Sequence, residues 1–242
     1  MAGLAVAAIG LGGVQLELIT PLTAFFTFGL GVLACVLGVV LLGVGLALSK
    51  GSAGASPAAR AWILLGSAGA LLIAVFLLRP GSGNVPPIHD ISTDIGNPPA
   101  FSEQMRALRE AGGASNPPEY AGKSVGSAQR EAYPDIETLS LDNPSEQVFM
   151  LARQVARQIG WEIVDTDPDS GRIEAVDTTP WFRFKDDIVI RITARGYTTY
   201  VDVRSKSRVG MSDMGTNAAR IRLFLETLKR AAEEVPQELS SD

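Results

Sequence analysis

The chain has 242 residues, a mean hydropathy of +0.19 and a net charge of −5, which is more apolar than a wholly water-soluble domain of ordinary charge content. The average conceals two halves: residues 1–84 carry only Glu17, Lys50, Arg60 and Arg79, so the remainder carries a net charge of −7. No nucleic-acid partner is expected of so acidic a remainder, and with Cys35 the only cysteine, disulfides and thiolate metal centres are excluded from the polar part.

Ala2 to Val14 is apolar but short, and Gln15 and Glu17 follow it. It is read either as a third span over 2–16 or as a helix lying in the membrane interface. No basic stretch precedes it, which argues against a cleaved signal peptide. Pro21 to Leu48 is an uncharged run of 28 residues, longer than the roughly 20 needed to cross a hydrocarbon core. Ala61 to Leu78, bounded by Arg60 and Arg79, is a second uncharged run near the lower limit for a span. Lys50 and Arg60 lie between the two runs, so the positive-inside rule places that loop in the cytoplasm and the C-terminal part on the periplasmic or extracytoplasmic side. Arg79 argues weakly the other way. Ala34 with Gly38, and Gly66 with Ala70, supply the small-residue spacing that lets membrane helices approach.

Residues 80–136 are rich in Pro, Gly, Asn and Ser and show no sustained period, apart from a short helix expected over Phe101 to Ala111 with Phe101, Met105 and Leu108 on one face. From residue 137 the pattern sharpens. Asn143 or Ser145 caps a helix running to Ile159, with Val148, Leu151, Ala152, Val155 and Ile159 on one face, and Gly160 ends it. Strands follow at Trp161 to Asp165 and Arg172 to Thr178, separated by Asp167-Pro168-Asp169-Ser170-Gly171. Asp187 to Ala194 alternates strictly, with Ile188, Ile190 and Ile192 against Val189, Arg191 and Thr193. Tyr200 to Arg208 alternates as well, and a last helix runs from Ser212 or Asp213 to about Glu233. The expected fold is membrane helices followed by an α+β domain: a four-stranded antiparallel sheet in α-β-β-β-β-α order, both helices on its apolar face, with an irregular segment wrapped on it. The expected organisation is a membrane region over 1–79, the proline-rich segment over 80–136, the domain over 137–235 and a disordered tail over 236–242.

The polar residues support several readings. His89, Asp90 and Asp94 form H-D-x-x-x-D, whose side chains suit a divalent ion if a fourth group joins them. Asp90 and Ser92 after a Pro-Pro pair also suit a turn, and no metal or cofactor is expected. Asp186 and Asp187 are neighbours before a strand, where alternation points them to opposite faces and argues against a general acid–base pair. The same argument separates Lys206 from Ser205 and Ser207. Arg191, Asp202, Arg204, Lys206 and Arg208 crowd one sheet face, where guanidiniums can receive a carboxylate, a phosphate or an acidic partner. The ordinary account of that face is cross-strand pairing with Glu174 and Asp202 in solvent. Trp181, Phe182 and Phe184 either cover the sheet edge or reach the bilayer surface.

Pro87-Ile88-His89-Asp90-Ile91-Ser92-Thr93-Asp94, Asn97-Pro98-Pro99-Ala100-Phe101, Ala132-Tyr133-Pro134-Asp135-Ile136, Trp181-Phe182, Phe184-Lys185-Asp186-Asp187 and Asp202 to Gly210, followed by Ser212-Asp213 and Asn217 to Ile221, are distinctive in this order. Over about Pro86 to Leu228 the chain resembles the bacterial domain of unknown function family 1499, with a membrane hairpin in front as in many members. The resemblance implies no reaction, cofactor or ligand. It does imply that the proline-rich segment is laid against the domain.

The leading reading is therefore a membrane-anchored binding or accessory module with an extracytoplasmic domain. Its candidate ligand-binding residues are His89, Asp90, Asp94, Lys185, Asp187, Arg191, Arg204 and Arg208, and its expected partners are the lipid bilayer and a membrane or envelope protein. A second reading is a membrane-anchored enzyme whose carboxylates Asp90, Asp94 and Asp187 converge on a pocket, with or without a metal. A third makes the domain a structural cap on the membrane hairpin.

Overall fold

The computed structural model describes residues 2–48, 59, 61–63, 65–69 and 85–234. The chain divides into two compact units, 1–83 with 180–183, and 84–179 with 184–242.

In the first unit, α1 (Ala2–Gln15) and α2 (Pro21–Leu48) pack antiparallel. Pro21 opens α2 at a position where a missing N–H costs nothing, and Thr20 Oγ1 accepts from Thr23 N at 3.3 Å. The interface is made by small residues. A Cβ on Gly3 would stand 2.6 Å from Cys35 Sγ, and one on Gly10 would stand 2.9 Å from the Ala24 carbonyl. Gly31 likewise lies against the Ala7 backbone. Packing thus runs through Gly3, Ala7 and Gly10 against Ala24, Gly31 and Cys35. Ala34 and Gly38, expected to pack against the second apolar run, lie outside this α1–α2 interface: Ala34 is exposed, and a Cβ at Gly38 would meet nothing within 4 Å among the described residues. Helix α1, about 21 Å long at 1.5 Å per residue, is too short to cross a bilayer alone. Among the described residues one helix is long and apolar enough to cross a membrane, over Pro21–Gly45 with mean hydropathy 2.6. The run Ala61 to Leu78 is helical at 61–63 and 65–69, and the rest of it lies outside the described residues, as does the tail over 236–242.

The second unit is an α+β domain. Its elements are β1 (Asp90–Ser92), α3 (Glu103–Ala111), α4 (Lys123–Ala132), β2 (Leu139–Leu141), α5 (Ser145–Gln158), β3 (Glu162–Asp167), β4 (Arg172–Thr178), β5 (Lys185–Arg195), β6 (Thr198–Ser207) and α6 (Thr216–Glu234). The sheet is antiparallel and has six strands, not the four expected. Strands β3, β4, β5 and β6 lie side by side, and both extra strands pair with the outer edge of β6. Strand β1 sits opposite Arg204 to Lys206, and β2 sits opposite Thr199 to Val201. Three residues are too few to show an alternating period, so neither β1, inside the proline-rich segment, nor β2, just after it, stands out in the sequence.

Alternation along β4, β5 and β6 creates two buried faces. Ile173, Ile188, Ile190, Ile192, Val201 and Val203 pack against Val148, Val155, Ile221, Phe224 and Leu228 of α5 and α6. Each such side chain contributes roughly 1.5–3 kcal/mol when removed from water. Trp161 stacks on Phe224 at 5.1 Å between ring centroids. The opposite face, expected to lie in solvent, is covered by the strap, residues 93–120, whose Phe101 and Met105 pack on Val176 and Val189. Gly171 turns the chain from β3 to β4 at φ 67, and any side chain there would collide with the Ile192 carbonyl.

Two expected helix starts shift. Neither Asn143 nor Ser145 caps α5. Pro144 holds that position without a side-chain bond, and Asn143 Nδ2 donates to Gln147 Oε1 at 3.0 Å. Helix α6 begins at Thr216 because Met214 and Gly215 adopt positive φ, and the Asp213 carboxylate accepts from Gly215 N and Asn217 N at 2.8 and 3.0 Å.

Candidate functional site

The charged residues picked out on β6 gather with Asp90 and Asp187 under the strap. In the β1–β6 and β5–β6 registers, Lys206 lies opposite both Asp90 and Asp187, so the three side chains share one face. Arg204 binds Asp90 in bidentate fashion, Nε to Oδ1 and Nη2 to Oδ2, each at 2.9 Å. Lys206 Nζ donates to Asp90 Oδ2 at 2.8 Å. Arg208 grips Asp187 through Nε at 3.0 Å and Nη2 at 2.7 Å, and Arg109 of α3 donates to the same carboxylate. The side chains of these four cations are at most 5% exposed.

Four buried cations thus share two carboxylates. Three of the four also donate to the backbone of the strap. Arg204 donates to the carbonyls of Pro99 at 3.2 Å and Pro118 at 2.9 Å, Lys206 to that of Glu119 at 2.7 Å, and Arg109 to that of Asn116 at 2.9 Å. These acceptors are available because a proline-rich chain forms no continuous ladder of its own. The rings of Phe101 and Tyr120 stand 4.8 and 5.5 Å from the Arg204 guanidinium carbon. The two grips repeat in sequence: Asn97-Pro98-Pro99-Ala100-Phe101 and Asn116-Pro117-Pro118-Glu119-Tyr120 each supply the carbonyl of their second proline and their aromatic ring to Arg204. The repeated Asn-Pro-Pro-x-aromatic pattern was the readable signal for this clamp.

Burial sets the protonation behaviour. It pushes the Lys206 ammonium and the Arg109 guanidinium down from their ordinary values, against the pull of Asp90 and Asp187 respectively. It also pushes the Tyr120 phenol up to about 12, with the Asp90 charge adding to the effect. Tyr120 Oη and Arg109 Nε are buried without a hydrogen-bond partner among the described residues. Glu174, at 0% exposure, accepts from Ser102 N at 2.7 Å and from Ser102 Oγ, and burial raises its pKa.

The other candidate residues disperse. Arg191 bridges Asp94 at 2.9 Å and Asp202 at 2.7 Å and donates to the Asn97 carbonyl, half-buried at the rim of the strap. His89 Nδ1 faces the Met211 carbonyl at 3.4 Å, and Lys185 is exposed at the start of β5. His89, Asp90 and Asp94 therefore engage three different partners, and among the described residues no group of three or more His, Cys, Asp or Glu side chains is arranged to hold a metal ion. Asp186 and Asp187 do point to opposite faces, but neither is solvated: Asp186 pairs with Arg220 of α6 at 2.7 Å, beneath the helices. Ser205 and Ser207 bond Asn217 on that same helix-covered side, away from Lys206.

An open cavity of about 480 Å³ lies elsewhere, at the end of the sheet remote from Lys185. One wall is the face of α5 carrying Ser145, Glu146, Phe149, Met150 and Arg153, another is the β3–β4 turn from Pro168 to Gly171, and the third is Ile192 to Ala194 of β5. Strand β5 outruns β4 there: the β4 ladder ends at Arg172 opposite Arg191, and Ile192 N donates to the Gly171 carbonyl at 2.8 Å. Two residues on, Ala194 turns its N–H and C=O the same way, toward the cavity and past the last residue of β4. No sequence pattern announced this groove, because it arises from unequal strand lengths brought together by folding.

A comparison with curated proteins finds no match. The model of one family matches residues 90–228, from β1 into α6, which takes in the strap, the sheet and the clamped Arg204. Because the match covers more than half of the chain, the chain belongs to that family, described as Protein of unknown function (DUF1499).

Proposed function

We propose that this is an integral membrane protein, multi-pass through Pro21 to Leu48 and Ala61 to Leu78, whose C-terminal domain is an extracytoplasmic binding module. Its recognition surface is the groove between α5 and the β3–β4 turn, and its ligand is an extended peptide segment of a membrane or envelope protein. The observation that carries this is the unpaired edge of β5 at Ala194 beside a cavity with an apolar floor of Phe149 and Ile192. An added strand finds main-chain partners there and a pocket for an alternate side chain. Met150, 55% exposed, is an adaptable wall, while Glu146, Asp169 and Arg153 offer charges of both signs at the rim. Lys50 and Arg60 support the sidedness.

The Arg-rich face is a poorer site for the same ligand, since Asp90, Asp187 and strap carbonyls already occupy its donors. The enzymatic reading is weakened by the same contacts, which hold Asp90, Asp94 and Asp187 to different cations.

A photo-reactive benzoylphenylalanine replacing Met150 in cells tests the groove. The expected result is one discrete protein adduct, lost on Ala194→Pro, which deletes the edge N–H, and on Arg153→Glu. The same probe at Leu223 on α6 gives none. Equal labelling from both positions, or adducts indifferent to Ala194→Pro, excludes the groove. Retention of the chain in membranes through alkaline carbonate extraction tests the anchoring.

A further inference from the structure

The end of the domain at which the chain arrives from its apolar half carries exposed apolar side chains that the fold does not use. Val85 is 37% exposed, and the β6–α6 loop holds Met211 and Met214 at 84% and 76%. These residues form one patch. Asp213 N donates to the Ile88 carbonyl at 3.1 Å, His89 meets the Met211 carbonyl, and a Cβ on Gly215 would touch Val85 Cγ1 at 4.0 Å. Met214 has φ 53, a conformation that costs a side chain energy in the left-handed region and here lies in an exposed loop. The exposed Lys185 begins β5 at the same end, with its carbonyl accepting from Arg208 N at 3.0 Å.

Covalent geometry limits how far this patch can stand from the bilayer. Between Leu78, the last residue of the second apolar run, and Val85 there are seven peptide steps, which reach at most about 25 Å when fully extended. The far end of the sheet is bound by no such limit, because the 11 residues of β5 add about 36 Å. We infer that the Met211 and Met214 loop, with Val85 beside it, rests on the lipid surface, so that the domain stands end-on with its groove directed away from the bilayer. The two thioether side chains sink into the headgroup region as flexible apolar wedges, and Lys185 stays among the headgroups. The inference rests on the membrane-anchored reading proposed above.

Site-directed spin labelling of the full chain tests it in vesicles of phosphatidylcholine and phosphatidylglycerol. Labels are placed in a Cys35→Ser background at Met211→Cys, Met214→Cys, Tyr197→Cys and Leu37→Cys. Tyr197, fully exposed at the β5–β6 hairpin, reports the opposite end, and Leu37 reports the spanning helix. The expected result is that the labels at 211 and 214 lose accessibility to a water-soluble nickel reagent and gain it to oxygen relative to 197, while 37 is reached by oxygen alone. If 37 lies in lipid but 211 and 214 behave as 197 does, the lipid contact is overturned and the anchoring stands. If 37 itself is open to the nickel reagent, the anchoring reading fails and this inference with it.

Discussion

The two faces of the sheet are covered by opposite means. On one, α5 and α6 lay down a periodic apolar stripe over Ile188, Ile190, Ile192, Val201 and Val203. On the other, a strap with almost no period outside α3 is held by Arg204 and Lys206, which reach its carbonyls, and by its own Arg109, which shares the Asp187 carboxylate with Arg208. A helix satisfies its backbone internally and needs only apolar contact to dock. A chain interrupted by Pro98-Pro99 and Pro117-Pro118 cannot, so the surface that receives it must bring donors. The cations of β6 are the counterpart of prolines more than 80 residues away, and removing one member of such a cover leaves its partners buried without their counter-charge or donor.

Removing the central donor gives the largest effect. Arg204→Ala leaves Asp90 with Lys206 alone and strips the Pro99 and Pro118 carbonyls of their donors, so the expected loss is about 3–5 kcal/mol, in the range for breaking a buried ion pair. Arg204→Lys rescues little, because one ammonium cannot reach a carboxylate and two carbonyls held apart by a planar fork. Ile190→Ala on the helix-covered face costs roughly 2–5 kcal/mol by cavity formation. The discriminating measurement is limited proteolysis beside urea titration in mild detergent. Arg204→Ala exposes residues 93–120 to cleavage before global unfolding, whereas Ile190→Ala lowers the midpoint without that early cut. Early strap cleavage in both variants erases the distinction between the faces.

The second triad sharpens the same comparison. Asp187→Asn leaves Arg109 and Arg208 facing each other without a full counter-charge, at an expected cost of about 3 kcal/mol. In a double-mutant cycle with Arg208→Met, measured by urea titration, the two changes are expected to be non-additive by about 1–3 kcal/mol. Additive losses mean that the pair is not coupled as its geometry requires.

How much of this was open to a reader of the sequence depended on periodicity. Strand β5, with Ile at every second position, and helices α5 and α6, with apolar residues at helical spacing, were legible to within a few residues. Strands β1 and β2 were not, because three residues carry no period and their partners on β6 lie about 60 to 115 positions away. Helix α4, over KSVGSAQREA, has too few apolar residues to show a stripe. The site misled for another reason. Arg204 and Lys206 occupy the polar phase of a clean alternation, which ordinarily means solvent, and only the two Asn-Pro-Pro-x-aromatic copies hinted that something would cover them.

Acidity probes the strap more gently. Glu174 is held by Ser102, and burial raises its pKa in the folded state. A carboxyl with a raised folded pKa binds its proton more tightly in the native state, so its contribution to stability is full below the unfolded value and is lost as pH rises through the folded one. Asp213, also raised by burial, acts with the same sign. Asp135 is held below its ordinary value by its bonds to Arg222 and acts oppositely, losing its contribution at lower pH. The urea midpoint is therefore expected to rise as pH falls from neutrality toward the ordinary carboxylate range, and Glu174→Gln to flatten that rise. An unchanged slope in the variant would place the effect elsewhere.

The smallest change bears on which part of the clamp matters. Tyr120 and Phe101 present rings to Arg204 from the two copies of one motif, and only the tyrosine carries a hydroxyl. That hydroxyl is buried without a partner among the described residues, so Tyr120→Phe removes a polar atom that lost its water on folding and gained no bond in return. The ring stays over the guanidinium, and the Pro118 carbonyl keeps its donor. The variant is expected to lie within about 0.5 kcal/mol of the parent or slightly above it, and to retain protease resistance over residues 93–120. Tyr120→Ala, which deletes the ring, separates the contributions by losing both. A large loss from the phenylalanine variant would reveal a bond from Oη to a bound water and make the two copies of the motif chemically distinct, where their geometry now makes them equivalent.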